Sequence, residues 1–137
     1  VAPPTASPVA PTLASSITQD LSERVKQLDG VLELAQYPNL ALKWCHSPSV
    51  LSGEPYPYRD MHQHLRRAVD AFGMERVMWA SDYTQARVET GTSWGSTLYW
   101  LRDCDVISDV EKEWLLGRSV RKALRWPVGI EARSERE

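Results

Sequence analysis

Arg76-Val77-Met78-Trp79-Ala80-Ser81-Asp82-Tyr83 is an apolar run that stops on a carboxylate. Val77 to Ser81 has the length and bulk of a short buried strand, and Asp82 falls on the loop beyond its carboxyl end. In α/β proteins that edge is where chemistry collects. Upstream, Leu40-Ala41-Leu42-Lys43-Trp44-Cys45 alternates, with Leu40, Leu42 and Trp44 on one face and Ala41, Lys43 and Cys45 on the other. This reads as a second strand, with His46 directly after it. Between the two, Met61, Leu65, Ala68, Val69 and Phe72 repeat with helical spacing. Asp60 and Gln63 resemble a capping pair at the start of that helix, and Gly73 is placed to end it. A strand, a helix and a strand in this order predict a parallel pair joined by a right-handed crossover.

The pattern extends outward from this unit. Leu21, Val25, Leu28, Leu32 and Ala35 predict a helix over Thr18 to Gln36, stopped by Tyr37-Pro38-Asn39. Ser47 to Tyr58, rich in proline and glycine, reads as a long loop, and Tyr83 to Ser93 as another. Trp94 to Cys104 reads as helix. Ser108 and Glu111 form a capping box before Trp114, Leu115 and Leu116. Gly117 is expected to break that helix, and Val120 to Trp126 to form a short last one. Residues 1–17 are expected to be a proline-rich loop or linker and residues 128–137 a charged, disordered tail. The folded unit is then residues 18–127.

The composition sets limits. The chain has 137 residues, 42% hydrophobic and 25% charged, which suits one ordinary globular domain. A net charge of −2, from 16 basic and 18 acidic residues, gives no footprint for a nucleic-acid partner. No stretch approaches the roughly 20 apolar residues of a membrane span. Cys45 and Cys104 are far apart and form no metal-binding CxxC pair, so buried thiols in a reducing cytoplasm are the expectation. Residue 1 is Val rather than Met. Two parallel strands are few for a sheet normally covered on both faces. The chain is therefore expected to be part of a larger α/β sheet or barrel.

Several segments resemble one family, in its order. Tyr37-Pro38-Asn39-Leu40-Ala41-Leu42-Lys43 is similar to the YPNVxVK strand of the metal-dependent amidohydrolase-2 family, the aminocarboxymuconate-semialdehyde decarboxylase-like enzymes. Ala71-Phe72-Gly73-Met74-Glu75-Arg76-Val77-Met78-Trp79-Ala80-Ser81-Asp82-Tyr83 resembles its AFGxxRxMWGSDWP segment. Leu115-Leu116-Gly117-Arg118-Ser119-Val120-Arg121-Lys122-Ala123-Leu124 resembles its closing helix, and the loop Glu54 to Asp60 resembles that of some members. Ala80 replaces a usual glycine, and Thr84 stands where proline is common. The resemblance covers Thr18 to Pro127. It implies an α/β fold that is the C-terminal part of a (β/α)8 TIM barrel, with strands seven and eight present and the chain incomplete as given. It further implies metal-assisted C–N or C–O hydrolysis, or non-oxidative decarboxylation, of a small-molecule substrate. The cofactor it implies is a divalent metal, zinc in most members. The family's histidine ligands on earlier strands would precede Val1. The chain alone is then expected to be inactive and to need the missing barrel half or an oligomeric partner.

On the resemblance, Asp82 is the catalytic and metal-binding residue, ligating the metal or taking a proton from the water it activates. The bland alternative is a cap at a strand end. Tyr83 and Trp94, on or near the loop after Asp82, are candidates for a substrate wall. His46 is a third, against a plain loop histidine. Lys43 either enters the site or snorkels to one end. Trp79, Trp44, Trp100, Trp114 and Trp126 read as core. His62-Gln63-His64 imitates a metal-binding HxH pair. On a helix, however, positions i and i+2 stand about 200° apart and cannot share an ion. Two other readings stay open: a truncated, non-catalytic binding or assembly module with exposed strand edges, and a small helical domain with no strands.

Overall fold

Two parallel strands form the sheet, β1 (Leu42–Cys45) and β2 (Val77–Ala80). Leu42 stands opposite Val77, Lys43 opposite Met78, Trp44 opposite Trp79 and Cys45 opposite Ala80. This computed structural model describes residues 13–85 and 93–127. The register sorts the side chains by face. Trp44 and Val77 are buried, and Leu42 and Trp79 pack against the same core. Lys43 is exposed on the opposite face, where Cys45, Met78 and Ala80 are half-buried. The strands set aside the purely helical reading.

The crossover helix α1 (Met61–Phe72) buries Met61, His64, Leu65, Ala68, Val69 and Phe72 along one stripe. Gly73 ends it at φ 77°, where its N–H donates to the Val69 carbonyl at 2.8 Å. A side chain there would be strained, which explains the glycine. Asp60 does not cap this helix, contrary to expectation. It already has helical dihedrals, and its carboxylate accepts from Ser52 Oγ at 2.6 Å and from the Gly53 N–H at 2.7 Å. The acid thus closes the preceding loop instead. That segment is also not all loop. Ser47–Leu51 forms a short helix, α2, with Pro48 in its first turn, where a missing N–H costs nothing.

The first helix, α3 (Leu13–Glu33), starts before the expected Thr18, because Leu13-Ala14-Ser15-Ser16 follows the last proline and tolerates helix. Of the loop expected over residues 1–17, residues 13–17 are helical and 1–12 lie outside the described residues, as do residues 86–92 of the second expected loop and the expected tail, 128–137. Arg24 donates to the Val50 carbonyl at 3.2 Å, and Arg67 pairs with Asp29. Arg76 does more of the joining. Its guanidinium donates to the carbonyls of Phe72, Tyr37, Leu40 and Ala35 at 2.8–3.1 Å. One side chain just before β2 therefore fixes the turn that leads into β1.

Beyond β2, α4 (Trp94–Arg102) is capped by Ser93, which accepts from the Ser96 N–H at 3.1 Å. Trp79 Nε1 donates to the Thr97 carbonyl at 3.2 Å, and Trp100 and Leu101 are each 1% exposed. The Ser108–Glu111 capping box starts α5 (Asp109–Glu113) as expected. Gly117 does not break the helix. The chain stays helical through a wide π turn over Trp114–Arg118 and continues into α6 (Ser119–Ala123). Ser119 Oγ donates to the Met74 carbonyl at 2.7 Å and docks this segment beside β2. Trp126 is 55% exposed and so is not core; Trp114 is only half-buried. Cys104 is buried, Cys45 half-buried, and both are free.

Two measurements check this packing. Leu65 is fully buried, so Leu65→Ala should cost about 2–5 kcal/mol in urea unfolding. Glu111 takes two bonds from Arg66 and one from the Ser108 N–H, which hold its pKa well below the ordinary 4.5, at about 2. Its side chain is only 20% exposed, so solvent screens it weakly. A depressed carboxyl stabilises the fold fully above the unfolded value and loses that contribution as pH falls from about 4.5 towards 2. Unfolding free energy should thus fall by on the order of 2–3 kcal/mol from this group across that window. Glu111→Gln should flatten that part of the acid limb.

Candidate functional site

Parallel pairing brings the carboxyl ends of β1 and β2 to the same edge of the sheet. His46 is the first residue past β1, and Asp82 is the second past β2. Both sit in left-handed backbone, His46 at φ 32° and Asp82 at φ 40°. Such a conformation is uncommon outside glycine and costs on the order of 1–3 kcal/mol at each position. Local bonds hold the turns. The His46 carbonyl accepts from the Ser49 N–H at 3.0 Å and from Ser49 Oγ at 2.7 Å; the Asp82 carbonyl accepts from the Gln85 N–H at 3.0 Å.

These turns bring two side chains together. His46 Nδ1 lies 2.6 Å from Asp82 Oδ2, with the side chains 22% and 31% exposed. The nitrogen is shut off from solvent, yet no acceptor lies along its N–H direction. Imidazole and carboxylate approach closely without forming an aligned hydrogen bond. Cys45 Sγ completes the group, and the three donor atoms all lie within 4.8 Å of one another. Burial pushes the Cys45 thiol pKa up; the Lys43 charge opposes this and the Asp82 charge adds to it.

A thiol, an imidazole and a carboxylate at this spacing are the donor types that hold a divalent transition metal. Donors around a tetrahedral ion stand roughly 3.3–3.7 Å apart, so these side chains need only small shifts to share one. The buried nitrogen without an aligned acceptor is what a missing cation would leave. The residues present therefore fit a metal.

A model of the amidohydrolase family matches residues 25–126. That span holds both strands, the crossover helix and all three donors.

The chain belongs to the amidohydrolase family.

No curated protein and no solved structure matches it. Metal dependence is general in this amidohydrolase family, which suits the donor set.

The other candidates fall into place around this edge. Tyr83 is half-buried and opens a helical turn directly after Asp82. Trp94 begins α4 and is 49% exposed, and among the described residues its ring makes no aromatic contact. Lys43 points to solvent. His62 stacks on Trp100, with ring centroids 6.4 Å apart, while His64 is buried in the α1 stripe, where desolvation lowers its pKa. Both stand on α1, as their spacing predicts. Cys45 is not the simple buried thiol that the sequence suggests: it is half-buried beside the pair. The available signal was its position, last on the strand and directly before His46.

A double-mutant cycle measures the pair. With metal removed by a chelator, His46→Ala and Asp82→Asn should show a coupling of about 0.5–1.5 kcal/mol in urea unfolding, in keeping with a partly exposed contact. A coupling within about 0.3 kcal/mol of zero would mean that the two side chains act independently.

Proposed function

We propose that Asp82 is the working carboxylate of an amidohydrolase-type centre, and that β1 and β2 are the seventh and eighth strands of a (β/α)8 barrel. The observation that carries this reading is the meeting of Asp82 with His46 at the carboxyl edge of the sheet, 2.6 Å apart, inside the matched segment. The reaction is hydrolysis of a C–N or C–O bond, or non-oxidative decarboxylation as in aminocarboxymuconate-semialdehyde decarboxylase-like members. Asp82 would hold a divalent metal, with zinc the first choice, and His46 lies directly beside it. When bound, such a cation supplies positive charge that polarises a substrate oxygen and acidifies water. Asp82 either donates an oxygen to the ion or accepts the proton that water gives up, since a carboxylate at hydrogen-bond range is the general base this chemistry needs. His46, at the end of the neighbouring strand, fixes where that carboxylate points. Tyr83 and Trp94 flank the substrate side.

A barrel of this type takes about 250 residues. In this reading the 137 residues form its C-terminal part, and the remaining metal histidines come from preceding strands or from a partner. The chain alone then turns over no substrate. The two free thiols suit a reducing cytoplasm. Among the described residues, no helix is long and apolar enough to cross a membrane.

The reading is tested on the natural polypeptide that includes any upstream sequence, with a panel of amide, lactone and aromatic carboxylate substrates. Asp82→Asn should lower kcat by about 10²–10⁴, with little change in KM. Full activity in Asp82→Asn would remove the carboxylate from the mechanism.

A further inference from the structure

The family reading needs a carboxylate at this strand end; it makes no demand on residues 45 and 46. We propose that Cys45 and His46 are themselves metal ligands, and that with Asp82 they make a sulfur–nitrogen–oxygen site selective for zinc-class cations. The proposal rests on the reading of this edge as the metal side of an amidohydrolase centre, and it adds two ligands to Asp82, Cys45 and His46.

Three observations converge. The first is geometric: a thiol, an imidazole and a carboxylate from two strand ends gather within 4.8 Å of one another. The second is the imidazole. A buried Nδ1 beside a carboxylate would normally donate along its N–H bond, but here it has no aligned acceptor. An ion bound by both would satisfy them once the 2.6 Å separation opens to the roughly 3.3 Å of two ligands on one tetrahedral ion. The third is exposure. Cys45, His46 and Asp82 are all half-buried rather than sealed. Donors that leave the ion an open side suit a catalytic rather than a purely structural zinc. Sulfur then decides the class of ion. A thiolate favours zinc, cobalt or cadmium, whereas magnesium, calcium and manganese prefer oxygen donors. Coordination requires the thiol to give up its proton to solvent as the metal–sulfur bond forms.

The test uses the 137-residue chain, stripped with a chelator and titrated with Co²⁺. The wild-type chain should show ligand-field bands of a low-coordinate cobalt site and a near-ultraviolet thiolate-to-cobalt charge-transfer band at one equivalent. Zn²⁺ should displace the cobalt, and Mg²⁺ in large excess should not. Cys45→Ser should abolish the charge-transfer band and weaken binding by about 10–100-fold; Cys104→Ser should leave the band unchanged. His46→Ala should weaken binding at least as much. A second readout needs no variant: Zn²⁺ should slow iodoacetamide alkylation of Cys45 in the wild-type chain. Absence of the band in the wild type, its persistence in Cys45→Ser, unaltered binding in His46→Ala, or equal alkylation with and without zinc would each overturn the proposal. The two readings fail separately. A lost band with an inactive Asp82→Asn enzyme removes only the thiolate site, whereas an intact band with a fully active Asp82→Asn enzyme removes only the catalytic reading.

Discussion

Parallel pairing is the constraint on which this molecule depends. Antiparallel neighbours would place the end of one strand beside the start of the other, and His46 and Asp82 would lie at opposite edges. With Trp44 opposite Trp79 and Cys45 opposite Ala80, both chains leave the sheet on the same side, and a donor from each arrives at one place. A parallel pair needs a long return path. The α1 helix provides it, and its single apolar stripe covers the Trp44 and Val77 face of the sheet.

The helices hold the strands in place by a division of labour. Apolar burial supplies most of the stability, through Met61, Leu65, Val77, Trp100 and Leu101, which are almost fully enclosed. Directional bonds set position. Arg76 gathers four carbonyls around the entry to β2, Ser119 fastens the C-terminal segment to Met74, and Trp79 reaches the α4 backbone through its indole N–H. The Arg66–Glu111 pair joins α1 to the start of α5. The site itself contributes little of this. Its half-buried polar groups and left-handed residues are supported by the surrounding structure.

Much of the scaffold was legible in the sequence, because alternation and helical spacing are direct imprints of burial. The run Val77 to Ala80, the stripe from Met61 to Phe72 and the Ser108–Glu111 box each announce their own geometry. The misreadings fall where a residue answers to a partner distant in sequence. Asp60 has the spacing of a cap but is taken by Ser52 and Gly53 across a loop. Gly117 looks like a stop, yet the helix absorbs it by widening one turn. Trp126 carries an apolar ring, yet among the described residues it stays 55% exposed. At the site, Asp82 stood out because a charge ending an apolar run is conspicuous. His46 was a weaker signal, and Cys45 weaker still, since only the register of β1 on β2 brings the three together. Left-handed backbone is only faintly marked when the residues that adopt it are histidine and aspartate, which are enriched there but common elsewhere.

The left-handed residues at the two strand ends have a consequence for how this edge can vary. At φ near 30–40°, glycine is unstrained and asparagine or aspartate is tolerated, whereas β-branched residues are strongly disfavoured. Positions 46 and 82 are therefore screened twice, by chemistry and by backbone. Aspartate at 82 passes both screens. Histidine at 46 passes the backbone screen less easily than glycine would, so its presence marks a position where the imidazole outweighs conformational ease. Genetic drift released from chemical demand would run first towards glycine and asparagine, and a lineage that had lost the site would show that loss at residue 46 before residue 82.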